Sequence, residues 1–571
     1  MRLRRRARTF VLLAALAATA VSPALPAVGA APAHPVAAGA GNLTAPAPKL
    51  NGIDLDRATI PDLQRAMSSR HLSSVQLTAF YLARIAALDP RLHAVITTNP
   101  DALSQAVASD AHRRQHTARS PLEGIPVLLK DNVDTADREG TTAGSLALVG
   151  STPARSAFLA RRLRAAGAVI IGKANLSEWA NFRGLNSSSG WSAVGGQNNN
   201  PYVLDRNPCG SSSGSGVGTA ANLAVVAIGT ETDGSIVCPS GANGVVGIKP
   251  TIGLVSRSGV VPISAEQDTA GPIAKSVVDA ALTLEVIRGV DADDAATAAG
   301  APFDSVSYLP GLRPGALHGK RIGVWLAGTG VETVPEVGQV MAETVASLRR
   351  LGATVVAGAD IPFLTEVGNA EINALLVEFK HDINAYLASR PGPHPGTLAG
   401  LIAFNNAHAD AELQFFGQEI FEFAEATSGD LTDPAYREQR GIATSLAQRG
   451  IDETLARLHL DAIVAPTNGP AWITRLPGGD DFSHFVGSST PAAVSGYPSV
   501  TVPAGFVGPL PIGVSFIGPR FAEPALLALA FAFEHGTRVR RPPTFIPTIG
   551  PGVAATSAAA TRATAAGNRA A

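Results

Sequence analysis

The chain has 571 residues, 46% hydrophobic and 16% charged, which is enough apolar material for a large buried core and too little charge for a disordered chain. Its 45 Lys and Arg against 46 Asp and Glu give a formal net charge of -1, excluding a global field that would recruit nucleic acid or an anionic membrane and pointing to a small-molecule or peptide partner. Such a length predicts either two or three modest domains or one large α/β domain with insertions.

The first 30 residues have the form of an export signal: a basic start (Arg2, Arg4, Arg5, Arg6, Arg8), an apolar run from Phe10 to Val21, and the small residues Val28-Gly29-Ala30 at a cleavage position. The run is shorter than the roughly 20 residues that span a bilayer. A secreted, extracytoplasmic protein beginning near Ala31, with no membrane attachment after cleavage, is therefore expected. Ala31 to Lys49 is rich in Ala, Pro and Gly and reads as a linker. Residues 50–547 read as the folded domain and 548–571 as a disordered Ala/Thr-rich tail. Asn42-Leu43-Thr44 matches a glycosylation acceptor but reads as ordinary loop.

From Asn51 to Pro90 the pattern is helical, with Ser73 and Ser74 placed to cap a segment in which Val75, Leu77, Phe80, Leu82 and Ile85 recur near the helical period. Gly124 to Asn132 is a short apolar run that ends abruptly in Lys130-Asp131-Asn132, a buried strand delivering Lys130 to its end. A basic amphipathic helix over Arg155 to Ala166, closed by Gly167, precedes a strand at Ala168 to Ile171, and this alternation predicts α/β architecture. Gly184 to Gly259 is dominated by Gly, Ser, Thr and Asn around the apolar stretch Val217 to Ile228, the composition of a tightly packed, backbone-rich site. Gly300 to Leu460 is more helical and more charged, with strands predicted at Arg321 to Trp325 and Asp461 to Ala465, and reads as a substrate-facing cover. Pro491 to Phe516 returns to apolar runs, and Glu523 to Glu534 reads as a closing helix.

The two cysteines, Cys209 and Cys238, have no ligand neighbours at zinc-site spacing and are expected to be free, buried thiols. Gly167 to Lys173 imitates a phosphate-binding loop, but Ala174 stands where a Ser or Thr would meet magnesium and the intervening residues are strand-like. Glu231 and Asp233, without a histidine or a further acid, make a poor metal set. Gly210 to Gly214 satisfies Gly-x-Ser-x-Gly, with Ser212 as nucleophile and His535 as a distant base. An elbow of that type needs a buried strand just before it, whereas Leu204 to Pro208 is polar and broken.

A second constellation joins Lys130, the Gly210 to Gly216 loop and Gly229-Thr230-Glu231-Thr232-Asp233-Gly234-Ser235-Ile236. Amide hydrolysis needs an activated nucleophile, a proton route to the leaving nitrogen and donors for the oxyanion. No histidine lies near these segments, so a buried lysine held neutral by desolvation is the available base. The turn before Ser235 can aim successive backbone N–H groups at one point.

These segments closely resemble the amidase signature family, in their order and together with Gly244-Val245-Val246-Gly247-Ile248-Lys249-Pro250-Thr251. The resemblance covers Asn51 to Pro547. It implies a single large α/β domain with a central mixed twisted sheet covered by helices. It also implies a catalytic set of Lys130 as base, Ser211 as bridging serine and Ser235 as nucleophile, with oxyanion donors from Thr232, Asp233, Gly234 and Ser235, Ser212 in support, and no metal or cofactor. Within the family the resemblance is to bacterial peptide amidases, through Asn175 to Phe182, Thr230 to Ser235, Glu378-Phe379-Lys380 and Arg540 to Pro543. That implies a peptide-amide or other small amide substrate, with Glu178, Trp179 and Asn181 supporting the site. Asp233 and Val237 depart from the Gly and Arg found in many members. The alternatives are an aryl or aliphatic acylamidase or esterase of the same family, a Ser-His hydrolase using Ser212 and His535, and a non-catalytic exported binding protein. The related tRNA amidotransferase subunits fit poorly with an export signal.

Overall fold

The computed structural model describes residues 48–549. The segments read as an export signal and, up to residue 47, as a linker, the Asn42-Leu43-Thr44 triplet, and residues 550–571 lie outside the described residues. One mixed sheet of 11 strands organises the described chain. In chain order the strands are β1 (Val95–Thr98), β2 (Pro126–Lys130), β3 (Val169–Ala174), β4 (Val226–Glu231), β5 (Val246–Lys249), β6 (Thr269–Ala274), β7 (Arg321–Val324), β8 (Thr354–Ala357), β9 (Ala462–Pro466), β10 (Ser499–Val507) and β11 (Leu510–Ile517). Across the sheet they lie as β8-β7-β9-β11-β10-β5-β6-β4-β2-β3-β1, flanked by helices that bury a continuous apolar core.

Strands β3, β2 and β4 are mutually parallel neighbours with every residue buried, which is why their sequences read as unbroken apolar runs instead of alternating ones. The centre, from β4 through β11, is antiparallel, and β7 pairs in parallel with both β8 and β9 at the far edge. The expected cap is present. Ser73 Oγ accepts from Gln76 N at 3.1 Å and Gln76 Oε1 accepts from Ser73 N at 2.9 Å, opening the helix Ser74–Leu92. The imitation phosphate loop is β3 itself, with Lys173 buried inside it. Lys49 already belongs to a short strand, Lys49–Leu50, paired with Ile53–Asp54, and at the other end Ile549 packs against the cluster of Tyr202 and Leu510.

The cysteines are not free thiols. Cys209 and Cys238 form a disulfide with Cα atoms 6.0 Å apart. Their separation of 29 residues hides the reason: the helix Ser213–Ala220 carries the chain away and β4 brings it back, so that the loop holding Ser211 and the helix Val237–Ala242 following Ser235 meet at one end of the sheet. Closing a loop of that length stabilises the fold by about 3 to 4 kcal/mol through the unfolded chain. Cys209→Ala/Cys238→Ala is expected to melt at a lower temperature than the wild type and to lose activity at temperatures where it is still folded, checked by calorimetry and rate measurements on one preparation.

Candidate active site

Lys130 ends β2 and is fully buried. Its Nζ lies 2.8 Å from Ser211 Oγ, 2.9 Å from Thr230 Oγ1 and 3.3 Å from the carbonyl oxygen of Thr230. Thr230 belongs to β4, which pairs in parallel with β2 with Leu129 opposite Ile228. A single strand pairing thus brings the amine to both Thr230 oxygens, and the loop after Gly210 adds Ser211. Asn132 Nδ2 donates to the same Thr230 hydroxyl at 2.9 Å. Burial pulls the Lys130 amine down to about 7, against the opposing pull of Asp268 and Glu231.

Ser211 follows a cis peptide from Gly210 and is fully buried. Its neighbour Ser212 donates its backbone N–H to the carbonyl of Ser235 at 3.1 Å, tying this loop to the turn. The Ser212 hydroxyl is itself occupied: it donates to Thr230 O at 3.0 Å and accepts from Thr230 N at 3.1 Å. No strand precedes Gly210, and His535 sits on the helix Glu523–Thr537 with its ring against Phe531, bordering neither cavity beside Ser235. The structure therefore does not assemble Ser212 and His535 into a pair.

The turn from Thr232 to Ser235 is braced on its side chains and left open along its backbone. Thr232 Oγ1 donates to Asp268 Oδ1 at 2.6 Å, Gln267 Nε2 donates to Thr232 O at 3.0 Å, and Thr490 Oγ1 donates to Asp233 Oδ2 at 2.6 Å. Gly234 has φ +79, a conformation that glycine adopts without a side-chain penalty. Glu231 acts as a cap, accepting from Ile236 N at 2.7 Å and Val237 N at 3.0 Å. The N–H groups of Thr232, Asp233, Gly234 and Ser235 donate to no other described protein atom, and the Ser235 hydroxyl likewise has no described partner.

Two cavities meet at this turn. One, of about 250 Å³, is bordered by Ser235, Thr232, Phe182 and Leu375. The other, of about 410 Å³, is bordered by Gly234, Val237, Trp325, Trp472 and Thr490. Asn181, Gly210, Asp233 and Glu371 border both. Burial and the charge of Asp233 push the Glu371 carboxyl up to about 8, and burial raises Asp233.

Thr230, Glu371, Trp472 and Thr490 were not legible as site residues. Thr230 had a signal, its place in the same short motif as Ser235. Glu371 had a weak one: it stands seven residues before Glu378, hence on the same face of the helix Leu364–Ser389. Glu378 fixes that helix from within, accepting from Arg440 Nε at 2.7 Å, Tyr436 OH at 2.8 Å and Ser264 Oγ at 2.6 Å. The expected cover thus faces the site through Glu371 and Leu375. Glu178 is buried in an ion pair with Arg183 at 2.6 Å, and Trp179 packs edge-on against Phe421. Asn181 comes closer to the reacting region than those two, since it borders both cavities.

Residues 76–527 match the family model described as Amidase. Over 503 residues the chain is 44% identical to a probable amidase of Arabidopsis thaliana, covering 86% of this chain and 92% of that protein. It superposes on the native peptide amidase of Stenotrophomonas maltophilia with a TM-score of 0.82 at 52% identity, covering 86% of this chain and 99% of that one. A peptide amidase in complex with the competitive inhibitor chymostatin matches with the same score and identity over 85% of this chain and 99% of that one. With the mixed sheet and the buried Lys130–Ser211 contact beside an open backbone turn, these matches establish that the chain belongs to the amidase signature family and is an amide-hydrolysing enzyme.

Proposed function

We propose that this amidase hydrolyses the C-terminal carboxamide of peptides to the free acid and ammonia outside the cytoplasm, with Ser235 as nucleophile, Ser211 as bridge and Lys130 as base. The observation that carries the reading is the 2.8 Å contact of a fully buried Lys130 amine with Ser211 Oγ, next to Gly210, which borders both cavities. With the two hydrogens of a neutral amine on Thr230 O and Thr230 Oγ1, the lone pair falls toward Ser211. Ser211 passes the proton of Ser235 to Lys130, and Ser235 Oγ bonds to the carbonyl carbon. The developing oxyanion is met by the open N–H groups of Thr232, Asp233, Gly234 and Ser235. The proton returns through Ser211 to the nitrogen, the C–N bond breaks and ammonia leaves. Water then gives a proton to the same relay as its oxygen bonds to the acyl carbon, the bond from that carbon to Ser235 Oγ breaks, the relay returns the proton to Ser235, and the peptide acid leaves.

The peptide class is supported by the peptide amidases among the similar structures and by two cavities meeting at the turn that carries Ser235. The location is supported by the basic and apolar N-terminal pattern and by the disulfide, a bond that persists in oxidising compartments. Ammonia release from a C-terminally amidated dipeptide, compared with release from aryl and aliphatic amides, tests the substrate. Turnover of the peptide amide is the expected result; turnover of the other amides alone would overturn the peptide reading and leave the amidase core standing.

A further inference from the structure

The segment from Pro477 to Gly487 edges the larger cavity and is pinned to the body of the protein. The carboxylate of Asp480 accepts from Ser189 N at 2.9 Å, Ser189 Oγ at 2.6 Å and Asn207 Nδ2 at 3.3 Å, while Gly487 N donates to Thr329 O at 3.0 Å. Between these anchors Phe482 and Phe485 stand with ring centroids 5.7 Å apart, crossed at 64°, and remain 60% and 47% exposed. Among the described residues, Phe423 is the other aromatic side chain of comparable exposure. Both lip rings border the cavity that ends at Gly234. Beyond them lies a further cavity of about 510 Å³, also bordered by Trp472, Phe485 and Cys238. Trp472 and Phe485 therefore form a ridge between two hollows. Two paired apolar rings left in solvent on a loop anchored on either side of them, at the mouth of a cleft, contribute little to the fold and have the form of a binding surface.

Resting on the peptide-amide reading, we propose that Phe482, Phe485 and Trp472 are a subsite for the peptide segment that precedes the scissile carboxamide. An apolar side chain of that segment packs on the two phenylalanines, and the chain crosses the ridge into the outer cavity. The preferred substrates are then peptide amides of three or more residues with an apolar residue upstream of the last one, and the preference resides in KM.

The test compares an N-acetylated single-residue amide with a leucine-containing tripeptide amide sharing that last residue. The enzymes are the wild type, Phe482→Ala/Phe485→Ala, Phe485→Tyr, and Phe423→Ala as an exposed ring elsewhere. The wild type is expected to favour the tripeptide amide in kcat/KM by roughly tenfold or more. The double variant is expected to lose that preference through a roughly tenfold rise in the tripeptide KM with kcat for the tripeptide little changed. Phe485→Tyr, which keeps the ring, and Phe423→Ala keep the preference. Equal kcat/KM for the two substrates in the wild type, or an unchanged preference in the double variant, would overturn the subsite alone. Hydrolysis of other amides with none of either peptide amide would overturn the peptide-amide reading and the subsite with it.

Discussion

Ser235→Ala is expected to reduce amide hydrolysis by about four orders of magnitude or more while leaving the melting temperature close to that of the wild type. The kinetic half follows from the role proposed for the hydroxyl: the relay, the oxyanion donors and the cavities remain, but no atom is left to bond to the carbonyl carbon. The stability half follows from an observation. The Ser235 hydroxyl has no described hydrogen-bond partner, so its removal strands no buried donor or acceptor. Ser212→Ala separates the schemes by the opposite pattern. Its hydroxyl holds both polar groups of Thr230, so that variant is expected to lose stability first and activity as a consequence. Ammonia assays and calorimetry on both variants check this, and equal activity of Ser235→Ala and the wild type would refute the assignment.

The second large effect belongs to Lys130. Its amine must be neutral to accept a proton, so kcat/KM for the free enzyme is expected to rise with pH through a midpoint near 7, where burial places it, and to level off above. Lys130→Met is expected to be inactive and, near pH 6, more stable than the wild type by on the order of a few kcal/mol, because it removes a charge buried without a matched ion pair. The sign of the pH dependence follows from the depressed value. Between about 7 in the folded protein and 10.5 for ordinary lysine, the unfolded chain binds a proton that the folded chain does not. Wild-type stability therefore rises with pH across that window, and the advantage of the methionine variant shrinks. Melting curves at pH 6 and pH 9 measure the gap; a gap that widens with pH, or full activity in Lys130→Met, would contradict the role given to this residue.

What the sequence made legible was what local chemistry encodes. The apolar run stopping at Lys130 is a strand because both faces of β2 are buried, and Ser73 caps a helix because Gln76 stands three residues on. The predicted strands near Arg321 and Asp461 are β7 and β9, within a residue or two at their ends. The order of strands across the sheet was not legible, because pairing β10 with β5 joins segments more than 240 residues apart by backbone hydrogen bonds that carry no side-chain signature. For the same reason the outer wall of the cleft was missed. Trp325, Glu371, Trp472 and Phe485 come from four separate stretches and share no motif. The cysteines differ from expectation for another reason: free, buried thiols were expected, and the pairing of Cys209 with Cys238 depends on two loops converging in space. Glu231, weighed as a metal ligand, is spent on the two N–H groups that follow the turn, and that cap keeps it away from the open donors beside it.

The Cys209–Cys238 bond stitches the loop of Ser211 to the helix that follows Ser235, so specific activity becomes a record of the redox history of each molecule. Two preparations of identical sequence, one matured in a reducing cytosol and one in an oxidising compartment, would differ by two hydrogen atoms and yet hold the relay at different rigidity. Their activities would converge after mild oxidation. A titration of accessible thiols would then predict the catalytic yield of a batch before any substrate is added.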